Sequence, residues 1–399
     1  MSTYDPLIPA VTSNPYPHYT QLREEEPVAW IPSLQGFAVA RWDDVVKVLT
    51  DSKTYSSTQF WPALLGEYDP VPEGPPMISI DPPDHVPIRK LSGKVFVPSR
   101  VGALQDKVVR IANALIDDII RKHGSAGEFD YVEEFSALFP ATVISEVLGV
   151  EVERRVDFKH WVDDLLSAGN RASFPPERLA QIERSSKAIR AYFEEIYERR
   201  SAVPGDDLLS GFIHAEVNGT RLTRIEVLNL GILLLLGGVE TTANLLGITV
   251  SQFKKYPDVL AAVRAEPAKI PLLIEEVLRY DSPVQMLFRH TTQEAVLADV
   301  NIPVGSLMLP LLGSANRDPR KFNNAERFEL ERNPKEIISF GHGPHFCLGQ
   351  YLSRMEAKTA IGLLLERFET LMPLSDEVLW TDTYFARGPK TLPVRFKVR

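Results

Sequence analysis

The stretch that decides the fold lies near the C-terminus, where residues 340–349 read Phe-Gly-His-Gly-Pro-His-Phe-Cys-Leu-Gly. It contains Cys347, the only cysteine among 399 residues. The glycines and the proline before Cys347 predict a shaped loop, and the apolar spacing after Gly349 predicts a helix. Backbone N–H groups and the helix dipole at such a junction stabilise a thiolate. Cys347 is therefore either a ligand for a soft or borderline metal or a buried structural thiol.

Length, charge and cysteine content limit the class of protein. The length alone would allow two or three domains, but no linker, repeat or low-complexity tract divides the chain, which predicts one domain over residues 1–399. A single cysteine forbids an intramolecular disulfide and fits a reducing compartment. A formal charge of −9 without a dominant basic face argues against nucleic-acid binding.

The sequence also argues against a membrane protein. The N-terminal residues 1–27 lack the apolar core of a signal peptide. The longest apolar run, Leu230 to Val239, is too short to span a bilayer. We expect a soluble cytoplasmic protein.

Apolar periodicity predicts a mainly α fold with small β-sheets, that is, an α+β class. Strand patterns are a hairpin in 27–41, pieces at 284–288 and 307–312, and a last strand at 392–396. Helical patterns are 42–49, a segment from His85, 101–123, 130–149, 153–168, 177–200 and 223–256. The break at 169–176 fits an ordinary helix connection.

The longest helix, Thr223 to Tyr256, is apolar on all sides at its centre and should be buried. Its middle reads Gly237-Gly238-Val239-Glu240-Thr241-Thr242. Paired glycines weaken a helix interior and invite an opened turn. An acid in an apolar helix is costly unless it has a partner or a function, so the segment predicts a groove for a ligand.

Two charged pairs stand at helical spacing. His85 and Arg89 are four residues apart, and Glu276 and Arg279 are three apart, so each pair shares one helix face. Each pair taken alone would equally fit a solvated helix start or a surface salt bridge. The aromatic stretch 56–78 either packs under a helix or lines a ligand site.

The order Phe340-x-x-Gly343-x-His345-x-Cys347-x-Gly349 resembles the cysteine loop of the cytochrome P-450 family of haem-thiolate monooxygenases. Further matches follow in family order along the chain. They are His85 with Arg89, Gly238 with Glu240 and Thr241, Glu276 with Arg279, and Arg327. The resemblance therefore implies the cytochrome P-450 fold, with the long buried helix over the haem.

The resemblance also implies a cofactor and its contacts. Haem b, iron protoporphyrin IX, would be held by Cys347 as the axial ligand. Contacts with the cofactor are implied for Phe340, Gly343, Gly349 and Gly238, and contacts with its propionates for His85, Arg89, Arg289 and His345. Glu276, Arg279 and Arg327 would form a buried structural triad.

The implied activity is insertion of one oxygen atom from dioxygen into a largely apolar small molecule. Thr241 would hold the activated dioxygen by a hydrogen bond, and Glu240 would gate proton entry. Electrons would come from NAD(P)H through a separate reductase and ferredoxin. An acidic ferredoxin would dock on the cysteine side, near the i, i+4 pairs Lys90/Lys94 and Arg354/Lys358. A peroxide-driven peroxygenase and a non-catalytic haem sensor remain as alternatives.

The resemblance places the substrate pocket among apolar residues. They are Phe60, Trp61, Leu65, Leu233, Gly237, Val284, Leu287 and Phe385. Such a pocket favours a neutral or cationic, aromatic or polycyclic substrate, because an unpaired carboxylate in an apolar cavity is costly. The break at 169–176 also resembles the family's mobile loop over the substrate channel, and from there Arg171 and Arg178 leave open a cationic partner for an acidic substrate.

Overall fold

A computed structural model describes residues 4–151, 154–217 and 219–399, without the side chains of residues 155, 170 and 173. The described helices, α1 to α16 in chain order, are Pro9–Ser13, Tyr16–Glu25, Trp42–Thr50, Phe60–Leu65, His85–Gly93, Pro98–Gly102, Gln105–His123, Leu138–Leu148, Arg155–Ser167, Pro176–Ala202, Leu208–His214, Arg224–Lys255, Pro257–Ala265, Ile270–Tyr280, Leu312–Ala315 and Gln350–Arg367. The strands, β1 to β14, are Val28–Ile31, Gly36–Val39, Tyr55–Ser56, Ala126–Asp130, Glu216–Val217, Thr220–Arg221, Arg289–Thr291, Ala295–Leu297, Val300–Ile302, Leu307–Pro310, Phe368–Pro373, Leu379–Trp380, Pro389–Thr391 and Pro393–Val398. Helices dominate and the sheets are small, as the periodicity predicts.

The described chain forms two compact units. The first comprises 1–56, 106–139 and 241–399, and the second comprises 57–105 and 140–240. The single-domain organisation over 1–399 stays a prediction.

The first unit is built on a sheet with the strand order β1-β2-β10-β7-β3. The predicted hairpin is confirmed, since β1 and β2 pair antiparallel with Val28 opposite Val39. Strand β10 joins β2 in parallel, with Leu309 opposite Ala38. Alternate residues face a core that includes Val39, Val45 and Met308.

Helices α14 and α16 pack together in this unit beside the smaller sheet β11-β14-β4. The helix predicted over 130–149 is present but irregular at its start, where the π-helix Val132–Ser136 leads into α8. Ala126–Asp130 forms β4 and pairs with β14, with Asp130 opposite Pro393, and α8 starts only at Leu138, so that Pro140 falls in its first turn. The strand expected at 284–288 is reduced to isolated bridges from Val284 to Ala386 and from Met286 to Leu311.

The second unit is organised by the long helix α10, which packs on α9. The ring of Tyr192 on α10 lies 5.0 Å from that of Phe158 on α9, edge to face. The aromatic stretch 56–78 contains the short helix α4.

Helix α12 begins in the second unit and ends in the first, with the boundary between Glu240 and Thr241. By length and composition it is the one described helix that could cross a membrane, but 61% of its most apolar window is buried inside the protein. This burial is the pattern of a core helix and agrees with the prediction for 223–256.

Candidate active site

The cysteine loop forms a tight closed turn in the first unit. The backbone N–H of Cys347 donates to the carbonyl of Phe340 at 2.9 Å, and that of Phe346 donates to the carbonyl of Gly343 at 3.1 Å. Helix α16 begins three residues after Cys347. The partly buried Cys347 therefore lies at the positive end of an 18-residue helix, as the sequence predicts.

Glycine is required at position 343 for two reasons. Its φ of +71° lies in the left-handed region that side chains disfavour. A Cβ there would also lie 2.8 Å from the carbonyl oxygen of Leu49, which is backbone and has little freedom to move. The loop can take this shape, and present Cys347, only with glycine there.

Arg354 supports the loop from α16. Its guanidinium lies 4.3 Å from the centroid of the Phe340 ring and binds Glu275 of α14 through two nitrogens, at 2.5 and 3.0 Å. A guanidinium over an aromatic face with a paired carboxylate is a strong local brace. The expectation that Arg354 is a docking charge is therefore corrected, because its charge is already neutralised by Glu275.

The second half of α12 lies against the helix that follows the cysteine. The Thr242 hydroxyl donates to that of Ser353 at 3.2 Å. Ser353 lies in the first turn of α16, where its N–H donates to the Gly349 carbonyl. The structure thus brings the turn with Thr241 beside the helix that begins at the cysteine loop.

Among the glycines that border open space, two belong to the predicted haem contacts and substrate pocket, one in each unit. Gly237 is exposed although it lies in the middle of an apolar helix, and a Cβ there would meet no atom within 4 Å. The same is true of a Cβ at Gly349, the residue that caps α16. A cysteine sulfur in a loop that is followed by open space at Gly349 fits a prosthetic group that needs one protein ligand.

The four predicted propionate ligands are divided between the units. In the second unit His85 is 2% exposed, and burial, with a smaller effect of Arg89, lowers its pKa. In the first unit Arg289 is 4% exposed and donates to the carbonyl of Phe288 at 2.7 Å, and His345 is half-buried in the cysteine loop.

The predicted pocket residues of the first unit gather around Phe288. The rings of Phe385 and Phe288 stack with centroids 5.8 Å apart. Val284 bridges to Ala386, next to Phe385, and Leu287 lies beside the cysteine loop, with its Cδ1 3.7 Å from where a Cβ on Gly341 would be.

The predicted pocket residues of the second unit lie on α4 and α12. Phe60, Trp61 and Leu65 are at most 4% exposed, whereas Leu233 on α12 is half-buried. Burial of the three α4 residues is compatible with packing under a helix and with lining a ligand site.

A buried ion network in the first unit corrects one assignment. Glu276 and Arg279, both fully buried, form two hydrogen bonds of 2.8 Å. The second arginine on Glu276 is Arg332, at 3.2 Å, and not the predicted Arg327. Arg327 is exposed and contributes only its backbone carbonyl, which accepts from Arg279 at 2.8 Å. The sequence motif did not identify Arg332, because its approach depends on the turn at Leu330–Arg332.

The comparison with known families identifies the family to which the chain belongs. The model of the cytochrome P450 family matches residues 18–396. The chain belongs to the cytochrome P450 family. The predicted family, fold and enzyme class are thereby confirmed, and this P450 is an oxidoreductase of the monooxygenase class whose family uses a haem-thiolate iron, redox partner proteins, dioxygen and an organic substrate.

Individual P450s are similar over nearly the whole chain. The solved structure of CYP109Q5 from Chondromyces apiculatus has 38% identity, a TM-score of 0.91, and coverage of 99% of this chain and 98% of that one. CYP109E1 from Bacillus megaterium, solved in complex with testosterone, has 32% identity and a TM-score of 0.85, with coverage of 96% and 99%. The 6-deoxyerythronolide B hydroxylase of Saccharopolyspora erythraea is 33% identical, with 95% of each chain covered.

Proposed function

We propose that this P450 inserts one atom of dioxygen into a C–H bond, or next to a heteroatom, of a largely apolar small molecule that is neutral or cationic. It takes electrons from NAD(P)H through a separate reductase and a ferredoxin in the cytoplasm. Its prosthetic group is haem b, and its catalytic unit is the whole chain, 1–399.

One observation carries this proposal: the hydrogen bond from Thr242 to Ser353 at 3.2 Å. It joins the Glu240-Thr241 turn of α12 to the helix that starts at the cysteine loop. An acid–alcohol pair and a thiolate are the two parts that dioxygen activation requires, one for protons and one for electron density.

The residues of the chain then have distinct roles. Haem iron, when bound, supplies the redox chemistry that activates dioxygen. The Cys347 thiolate would bind the iron, the cations Arg89 and Arg289 would pair with the propionates by charge-assisted hydrogen bonds, and His85 and His345 would add hydrogen bonds to them.

The groups that move protons lie on α12. The Thr241 hydroxyl would hold a proton beside the place where dioxygen is activated. Glu240 passes protons from solvent to that hydroxyl. Gly237 leaves the space beside the helix in which the substrate lies.

Two variants test the core of the proposal. The reduced wild-type protein with carbon monoxide should show the red-shifted Soret band of thiolate ligation, and Cys347→Ser should lose it. Thr241→Ala should consume NAD(P)H and release peroxide in place of product. The matched control is Thr249→Ala, because the Thr249 hydroxyl on the same helix only bonds back to the Leu245 carbonyl at 2.7 Å. A Cys347→Ser protein that keeps the band, or coupled turnover in Thr241→Ala, would refute these roles.

The acid–alcohol pair also separates the proposal from its alternatives. A peroxygenase does not need Glu240 and Thr241, and a haem sensor needs neither the pair nor an electron donor. NAD(P)H oxidation with a surrogate ferredoxin system distinguishes the three, because only a monooxygenase gives product in proportion to NAD(P)H.

The preference for a neutral or cationic substrate is supported by the state of two arginines in the second unit. Arg178 is bound to the buried carboxylate of Asp164 and donates to the Ser167 hydroxyl at 2.8 Å. Arg171 lies 3.4 Å from Glu67 and donates to the Ala63 carbonyl at 3.2 Å. Each guanidinium is already paired with a carboxylate of the protein, so neither is available to pair with a substrate carboxylate.

The test is a binding screen of matched pairs, each carboxylic acid against its neutral methyl ester, scored by the change in the iron spin state. Testosterone, the ligand in the CYP109E1 complex, is a suitable neutral polycyclic probe. Tighter binding and a fuller spin change for the acids would overturn the substrate proposal.

The ferredoxin proposal depends on Lys90 and Lys358, both exposed, one in each unit. A negatively charged partner would be steered by such charges at a rate that falls with ionic strength. Lys358→Glu should slow reduction by a ferredoxin at low salt and have less effect at high salt, because salt screens exposed charges. Reduction rates that depend neither on salt nor on this substitution would refute the ferredoxin proposal.

A further inference from the structure

Arg387 lies in a buried polar cluster that the proposed chemistry does not use. Its side chain is 7% exposed, and its Nε donates to Asp281 Oδ1 at 2.8 Å. Its Nη1 donates to the carbonyls of Thr12 and Ser13, at 3.2 and 2.9 Å. Its guanidinium lies 3.6 Å from the centroid of the Trp380 ring. One planar group therefore joins a helix C-terminus, a carboxylate and an aromatic ring.

The three partners come from parts of the first unit that are far apart in sequence. Thr12 and Ser13 end α1, so Arg387 fills carbonyl positions that a helix end leaves open. Asp281 directly follows α14 and also accepts a hydrogen bond from the Tyr16 hydroxyl. Arg387 thus ties the N-terminal segment and the end of α14 to one turn, residues 381–387.

That turn carries Phe385. Its backbone is held by Gln285 N–H donating to the Phe385 carbonyl at 2.9 Å and by Arg387 N–H donating to the Pro283 carbonyl at 2.7 Å. Within it, the Thr383 hydroxyl donates to the Ala386 carbonyl at 2.9 Å. Phe385 stacks on Phe288, the residue before Arg289. The position of the Phe385 ring is thus fixed two residues away from a buried cation with three hydrogen bonds.

We propose that Arg387 is a positioning residue for substrate selection: through Asp281 and the carbonyls of Thr12 and Ser13 it sets the 381–387 turn and so the place of the Phe385 ring in the substrate pocket. The proposal rests on the proposed function, in which Phe385 lines that pocket. It makes the N-terminal segment Pro9–Ser13, which is not among the proposed pocket residues, a determinant of what the enzyme binds.

The test compares two iron ligands of different size on the haem-loaded full chain. Imidazole needs only the iron, whereas 4-phenylimidazole also needs a wall for its phenyl ring. Both are titrated by the Soret shift. The Kd of 4-phenylimidazole divided by the Kd of imidazole then measures how well the pocket wall binds the phenyl ring. Loss of one aromatic packing partner is worth up to about tenfold in Kd, so Phe385→Ala should raise the ratio about fivefold to tenfold.

Arg387→Ala should raise the ratio by a similar factor and leave the Kd of imidazole within about twofold. Arg387→Lys keeps the charge without the planar fork, so we expect an intermediate ratio. The double variant Phe385→Ala/Arg387→Ala should be no worse than Phe385→Ala alone, because coupled residues are not additive. Lys390→Ala is the control, since Lys390 pairs with Asp382 in the same hairpin but is 54% exposed; it should leave the ratio unchanged.

The outcomes separate the two proposals. A wild-type protein that binds neither imidazole nor carbon monoxide in the expected spectral form refutes the proposed function and this inference with it. A wild-type protein that binds both ligands, with a normal ratio in Arg387→Ala or additive effects in the double variant, refutes only the inference. If Arg387→Ala does not fold, Arg387→Lys carries the test, and a wild-type ratio in that variant overturns the role of Arg387.

Discussion

The buried network around Glu276 allows a sharp prediction about stability. Glu276 accepts from Arg279 twice, from Arg332, and from the N–H of Glu329 at 2.8 Å. Glu276→Ala would leave the fully buried Arg279 without its carboxylate. Removing one partner of a buried ion pair costs about 3–5 kcal/mol, because the remaining charge is desolvated and uncompensated.

This cost converts into a measurable fall in Tm. Unfolding entropy is about 2.1 cal/mol/K per residue, or about 0.8 kcal/mol/K for cooperative unfolding of 399 residues. A loss of about 3–5 kcal/mol then lowers Tm by about 4–6 °C. Far-UV circular dichroism on heating measures it, with the carbon monoxide band as a check on the cysteine loop.

Two arginine variants decide which residue completes the network. Arg332→Ala removes a guanidinium that is 9% exposed and bound to Glu276 and to the Asn324 carbonyl, at a cost of about 1.5–3 kcal/mol. Arg327→Ala is the matched control: its exposed side chain is lost but its carbonyl stays, so the change should be within about 0.5 kcal/mol. If Arg327→Ala cost as much as Arg332→Ala, the assignment of Arg332 would be refuted.

Three further outcomes follow from single sites. Gly343→Ala should lower the fraction of protein with the thiolate carbon monoxide band, because residue 343 has a positive φ and an added Cβ would contact Leu49. Gly349→Ala is the control, since a Cβ there would meet no atom within 4 Å and should leave the loop backbone unchanged. Equal bands in Gly343→Ala and the wild type would contradict this. Burial raises the pKa of Glu356 well above its ordinary value of 4.5, and its Oε2 has no hydrogen-bond partner among the described residues. The unfolded chain therefore releases this proton first as pH rises, so the contribution of Glu356 to stability is complete below pH 4.5 and is lost as pH rises toward the folded pKa. In urea denaturation, the free energy of unfolding of Glu356→Gln should therefore rise relative to that of the wild type between pH 5 and pH 8. Glu366→Gln, at an exposed position on the same helix, is the control. A difference in unfolding free energy between Glu356→Gln and the wild type that is constant with pH would contradict this prediction. Arg354→Glu should impair the thiolate band at any ionic strength by breaking the Phe340 brace, unlike Lys358→Glu, and a purely salt-dependent defect in reduction would contradict this reasoning.

Much of the fold followed from local pattern. The alternation in 27–41 sufficed for the β1–β2 hairpin, because both partners lie within one short stretch. The apolar run within 223–256 was enough to predict α12, because a helix that is buried on all sides is apolar on all sides. The cysteine loop was predictable in shape from Gly343 and Pro344, whose backbone preferences act at the residue itself.

Elements with distant partners were the ones that local pattern missed. Strand β4 is defined by β14, with Phe129 opposite Val394, so nothing near residue 129 in the sequence marks it as a strand. The 284–288 segment has the apolar composition of a strand, but its neighbours are Leu311 and Ala386, each at a single bridge. Composition describes what a segment can form, whereas the partner decides what it does form.

The ion pair of Glu276 with Arg332, where the motif predicted Arg327, shows the same limit at the level of a single side chain. A motif fixes which residue types occur and in what order, and Arg327 stands where the family pattern places an arginine. Which guanidinium reaches Glu276 depends instead on the path of the backbone. Asn324 and Asn333 adopt positive φ angles of 49° and 45°, and the turn at Leu330–Arg332 between them carries the Arg332 side chain back to α14. The carbonyl of Arg327 still accepts from Arg279, so both arginines hold the same carboxylate–guanidinium pair in place, one through its backbone and one through its charge.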